Sequence, residues 1–213
     1  MDFGLLVEIV GAEPVFDTGL LLAGDVDPRE VRRQLSRWTK AGRLYQLRRG
    51  LYALAPPFQK VKPHPLLIAN RMVRSSYVSC QSALAHHGLI PEYVPVVVSV
   101  TTLRPASWRT ALGTYEFRHL KMDLFRGYRL TDVGGGQRAF VATPEKAILD
   151  LVHLHPGGAA PGYLRELRLQ NLEHLDLPEM RRLTQLAGSP KLTRAAKIVA
   201  TLAHREAQEY DTL

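Results

Sequence analysis

The sequence predicts a mixed α+β protein in two parts, residues 1–57 and 58–213, and three observations carry that prediction. A well-capped amphipathic segment beginning at Asp27 runs into a hairpin pattern that ends at Leu54. A proline-rich connection, Ala55-Pro56-Pro57 continued by Pro63 and Pro65, then interrupts both the helical and the strand period. Beyond it a valine-rich run, Val94 to Thr102, sits among helical and strand patterns, so the larger part mixes the two.

The first part reads as a winged helix-turn-helix. Phe3 to Val10 is a short helix with Leu5, Leu6, Ile9 and Val10 on its buried side, ended by Gly11 and Pro14. Asp17 or Thr18 caps a second short helix, Gly19 to Ala23, and Gly24-Asp25-Val26 turns the chain toward the third. There Asp27 is an N-cap, Pro28 suits the first helical position, and Glu30 stands where a capping box requires it. At 100° per residue Val31, Leu35 and Trp38 share one face, while Arg29, Arg33, Ser36, Arg37 and Lys40 project from the other. Gly42 is placed for a left-handed helix stop. Leu44 to Leu47 and Leu51 to Leu54 are short strands joined by Arg48-Arg49-Gly50.

Charge singles out the same segment. Residues 29 to 49 hold eight Lys/Arg against one acid, in a chain whose formal net charge is +8. A cationic helix face beside an arginine-tipped hairpin suits a DNA duplex: phosphates fix the register, and the helix offers side chains to base edges in the major groove. The expected DNA-binding residues are Arg29, Arg33, Ser36, Arg37 and Lys40 of the helix, with Arg48 and Arg49 of the wing.

In the second part Leu66 to Val73 is helical, with Arg71 and Arg74 on its polar side, and Ser79 caps a helix from Cys80 to His87 stopped by Gly88. Val94 to Thr102 is a strand buried on both faces. Thr114 to His119, Tyr128 to Val133 and Arg138 to Ala142 are further strands, the last two joined by Gly134-Gly135-Gly136. Thr143 and Pro144 open a helix with Ala147, Ile148, Leu151 and Leu154 as its stripe. Pro156 to Pro161 is a loop, and from Gly162 onward the chain is helical, punctuated at Pro178 and Gly188-Ser189-Pro190.

No catalytic constellation stands out. Glu145 and Lys146 are adjacent at a helix start, whereas a metal-dependent nuclease needs acids converging at strand ends, with Asp123 or Asp132 as the remaining candidates. Glu145 reads as a dipole-favoured acid and Lys146 as solvated. His86-His87 and the pair His153 and His155 lack the i, i+4 spacing of two ligands on one face, and read as cations at helix C-terminal ends. Cys80, the single cysteine, reads as a small buried side chain, and nothing calls for an oxidising compartment. Gly134-Gly135-Gly136 lacks the Lys-Ser/Thr of a phosphate-binding loop. The expectation is a non-enzymatic protein with no metal and no cofactor, without a membrane span or signal segment, and cytoplasmic.

Two stretches, RLYQLRRGLYAL and YVSCQSALAHHGLIPEYVPVVVSVTT followed by ATPEKAILDLVHL, resemble the AbiEi-type antitoxins, a family named from abortive phage infection whose members are also transcriptional repressors. The resemblance spans roughly residues 15 to 155. It implies autoregulation through inverted repeats in the protein's own promoter, bound by two copies, and a C-terminal domain that counteracts a nucleotidyltransferase-like toxin, directly or indirectly. The DNA-contacting role falls on the helix and wing residues already named. Ser79, Gln81, Ser82 and the Thr143-Pro144-Glu145-Lys146 run match the family pattern without an assigned chemistry. Two other readings remain open: a stand-alone winged-helix regulator with a ligand-binding or dimerisation domain, and a nucleic-acid enzyme targeted by its winged domain.

Overall fold

The computed structural model describes residues 1–23 and 26–210 and is a mixed α+β structure with two sheets. Helix α1 (Phe3–Val10) starts at Asp2, whose carboxylate accepts the Leu5 N–H at 2.8 Å. Its inward stripe is Phe3, Leu6, Val7 and Val10, the i, i+3, i+4, i+7 set of a helix lying on a core. The expected buried side is therefore corrected. Leu5 and Ile9 sit about 100° from Leu6 and Val10 and stay 45% and 41% exposed.

Strand β1 (Phe16–Asp17) leads into a 3₁₀ turn at Thr18–Leu22 in place of the short α-helix expected there, and Asp17 makes no side-chain cap. The turn expected at Gly24-Asp25-Val26 lies outside the described residues at 24 and 25. Helix α2 (Pro28–Lys40) and the hairpin strands β2 (Leu44–Arg48) and β3 (Leu51–Leu54) follow, within one residue of expectation. The sheet is antiparallel, ordered β1-β3-β2.

This hairpin is covered on both faces. Phe16, Leu44, Tyr52 and Leu54 join Leu6, Val10, Leu21, Val31, Leu35 and Trp38 in the smaller core. Val15, Leu47, Leu51 and Ala53 point the other way into the larger core of the second part. All four residues of β3 are buried because successive side chains alternate between these two cores.

The second part is built on a six-stranded mixed sheet, ordered β6-β7-β5-β4-β9-β8. Its strands are β4 (Ser76–Val78), β5 (Val96–Thr101), β6 (Ala106–Thr110), β7 (Gly113–His119), β8 (Tyr128–Gly134) and β9 (Gln137–Ala142). The valine strand β5 lies third in the sheet, parallel to β7 and antiparallel to β4, and Val98 to Thr101 are buried on both faces, as its composition requires. Strands β4 and β6 were not anticipated. Helix α3 (Pro65–Met72) packs across β4 and β9, and α4 (Cys80–His86) packs against β5.

Helix α5 (Pro144–Leu154) is the hub of the helical layer, flanked by α4, α7 (Leu177–Ala187) and α8 (Pro190–Tyr210), with α6 (Pro161–Glu166) against α8. Gly188 ends α7 in the left-handed conformation at φ +57°, which glycine adopts without a Cβ clash, and Pro190 opens α8. No helix among the described residues is long and apolar enough to cross a membrane.

Candidate nucleic-acid interface

The cationic face is presented by α2, and both ends of that helix are fixed by local chemistry. Asp27 caps it by accepting the Arg29 N–H at 2.8 Å, with Pro28 in the first turn. The capping box gives way to another arrangement. Glu30 pairs with Arg33 at 2.6 Å and accepts from Gln34 Nε2 at 3.1 Å, so it braces the helix surface. At the far end the Arg43 N–H reaches the Trp38 carbonyl at 2.9 Å while Gly42 takes φ +71°, a Schellman stop.

Val31, Leu35 and Trp38 are buried, and Trp38 meets the edge of Phe3 with ring centroids 5.3 Å apart. That anchoring leaves Arg29, Arg32, Arg33, Ser36, Arg37 and Lys40 exposed, five cations along one surface. The expected helix residues thus share one solvent-facing surface, to which Arg32 is added. Its place on the helix, between the two faces, left it out of the opposed-face reading. Arg43 follows the helix with its guanidinium 5.1 Å from the Phe3 ring centroid.

The two hairpin arginines part company. Arg49 is exposed at the turn. Arg48 turns inward, donating from Nε to the Met72 carbonyl at 2.8 Å and from Nη1 to the Arg49 carbonyl at 2.9 Å. Met72 is the last residue of α3, so Arg48 supplies a cation and a donor to a helix C-terminus whose carbonyls lack intrahelical partners. The hairpin tip is further held by the Gly50 carbonyl, which accepts the Thr18 N–H at 2.9 Å.

The second group of expected residues surrounds an acid that sequence reasoning passed over. Asp150 is 1% exposed and accepts from the Tyr77 hydroxyl at 2.9 Å, the Ser79 hydroxyl at 2.7 Å and the Lys146 ammonium. Lys146, expected to be solvated, is instead 5% exposed and paired one helical turn back from Asp150. The i, i+4 spacing of Lys146 and Asp150 was the available signal. Glu145 is also buried and accepts the Asp176 N–H at 2.8 Å, so it fixes the entry to α7. Ser82 donates to the Val96 carbonyl at 3.0 Å and accepts the Val98 N–H at 2.8 Å, and Gln81 is half-buried beside it. Burial and the adjacent Asp150 push the Tyr77 hydroxyl up. Through Tyr77, Ser79 and Lys146, Asp150 ties α5 to the β4–α4 corner.

The histidines and the cysteine are placed as the chain order implied, with one correction. His86 and His153 stand in the last turns of α4 and α5, yet burial lowers both, so the neutral form is favoured over the expected cation. Cys80 is fully buried, and burial together with the charge of Asp150 pushes its thiol up to about 12. Iodoacetamide should therefore leave the native protein unmodified at neutral pH and label Cys80 only after denaturation; rapid native labelling, followed by mass spectrometry, would contradict this placement. Among the described residues no cluster of three or more His, Cys, Asp or Glu is arranged to hold a metal ion.

A groove of about 420 Å³ opens beside α3 and α4, lined in part by His64, Ser82, His86, Tyr93 and Thr114, with Tyr93 89% exposed. Compared with known proteins, the chain matches no family model and no curated protein.

Proposed function

We propose that the chain is a DNA-binding repressor and antitoxin of the AbiEi type, in which residues 1–57 act as a winged helix-turn-helix and the remainder counteracts a nucleotidyltransferase-like toxin. The observation that carries the DNA part is the exposed row Arg29, Arg32, Arg33, Arg37 and Lys40 on a helix whose opposite face is anchored in a core. Such a helix can enter a major groove while the hairpin flanks it, with Arg49 as the hairpin's phosphate contact. The antitoxin part rests on the sequence resemblance. The protein works in the cytoplasm, without metal or cofactor, and two copies occupy an inverted repeat in its own promoter.

The test is growth of cells that express the adjacent reading frame, with the full chain or with its Arg33→Ala/Arg37→Ala variant, alongside a reporter driven by the chain's own upstream region. Rescue by both proteins, with repression by the unaltered chain alone, is expected. If the neighbouring product is harmless or neither protein rescues, the antitoxin part fails. An unrepressed reporter and no duplex binding would remove the regulator as well. The runner-up, a regulator that responds to a small ligand, draws on the groove beside His64 and His86; it predicts repression without any rescue.

A further inference from the structure

We infer that the DNA surface continues beyond the hairpin onto the second part of the molecule, where Arg71 in the last turn of α3 and Arg74 just past it take a backbone phosphate of the duplex. The inference rests on the DNA-binding reading and extends it to residues that lie outside the winged segment.

Its basis is an imbalance of charge at one place. The carboxylate of Asp17 faces three guanidinium groups, with Arg74 Nη2 at 3.1 Å, Arg71 Nη2 at 3.5 Å and Arg48 Nη2 at 3.9 Å. One carboxylate cannot neutralise three arginines, and no other carboxylate pairs with any of them among the described residues. Arg48 is already engaged with the carbonyls of Met72 and Arg49. Arg71 reaches the Val15 carbonyl at 3.5 Å as well as Asp17. Arg74 touches Asp17 through one nitrogen, and its side chain is 76% exposed, so most of its donor fork faces solvent.

The cluster lies at the hairpin tip. Asp17 is opposite Leu51 in the β1–β3 ladder, and Leu51 is opposite Arg48 in the β2–β3 ladder. Arg49, exposed and without an ion pair among the described residues, is the next residue of that tip. A duplex whose phosphates approach Arg49 would therefore meet Arg74 beside it. A clasp between the two parts of the molecule would need one arginine on Asp17. The surplus is what an anion would balance, and a guanidinium fork matches a phosphate in geometry as well as charge.

The experiment titrates a duplex carrying the chain's own promoter at several salt concentrations, using the full chain and its Arg74→Ala, Arg71→Ala/Arg74→Ala, Asp17→Asn and Arg33→Ala/Arg37→Ala variants, with thermal midpoints and rescue from the adjacent reading frame's product measured for each. Arg74→Ala should flatten the log–log salt slope by about one unit and weaken unrelated duplexes as much as the promoter. Asp17→Asn, which removes the counter-charge, should bind more tightly with a steeper slope. Slopes like that of the unaltered chain in the Arg74→Ala and double variants, with binding still lost in Arg33→Ala/Arg37→Ala, would overturn the inference and leave the DNA reading intact. Loss of toxin rescue without a change in slope would overturn it too, and assign the cluster to a protein partner. No duplex binding by the unaltered chain removes both.

Discussion

Asp150→Ala is expected to destabilise the protein by about 3–5 kcal/mol, the effect of leaving a buried cation without its partner. Lys146 is 5% exposed, and its ammonium is paired with Asp150 one turn along α5. The same substitution strands the Tyr77 and Ser79 hydroxyls, each of which donates to Asp150. A urea titration checks the value. Asp150→Asn retains an acceptor for the two hydroxyls and should cost less. Lys146→Met combined with Asp150→Asn should recover part of the loss, since no ion is then buried. Equal midpoints for Asp150→Ala and the unaltered chain would mean that the network contributes nothing.

The second large effect is expected in the proposed DNA binding. Arg33→Ala and Arg37→Ala are each expected to cost about 1–3 kcal/mol of specific binding where the side chain reads a base, with specificity relaxed at one position of the site. That corresponds to roughly a fivefold to more than a hundredfold change in Kd, measurable by titration against single-base variants of the operator. Arg33 carries a further expectation, because Glu30 holds it at 2.6 Å in the free protein. Reaching a base edge requires that exposed pair to open, which costs little. Full retention of affinity and specificity in both variants would take α2 out of the groove.

Much of the proposed interface could be read from the chain because its determinants are local. Asp27, Pro28, the Val31-Leu35-Trp38 stripe and Gly42 each act within a turn of their own position, and all took the expected places. The features that escaped depend on distant neighbours. Arg48 sits in a turn beside Arg49, and nothing adjacent indicates that one docks on Met72, 24 residues away, while the other stays in water. Lys146 reads as solvated because a lysine usually is, whereas its stem lies against Gly127, 19 residues earlier, and its ammonium pairs with the buried Asp150. Strand β6 alternates half-buried and exposed residues over Ala106–Thr110, a period-two signal weakened by its polar side chains and its place at the sheet edge. Leu5 and Ile9 show the limit of an apolar run, since a helix that is hydrophobic on two sides does not say which side it buries.

The four residues Leu51–Leu54 have a consequence for how the molecule comes apart. They form a party wall, with Leu51 and Ala53 finishing one room and Tyr52 and Leu54 the other. Neither room can be emptied without stripping plaster from its neighbour, so the two halves are expected to melt together even though the prolines at 56 and 57 suggest a seam. A cut at that seam would yield a C-terminal piece with an apolar surface where Val15, Leu47, Leu51 and Ala53 belong. The same wall joins α2 and its core to the second part of the molecule through one shared strand, β3.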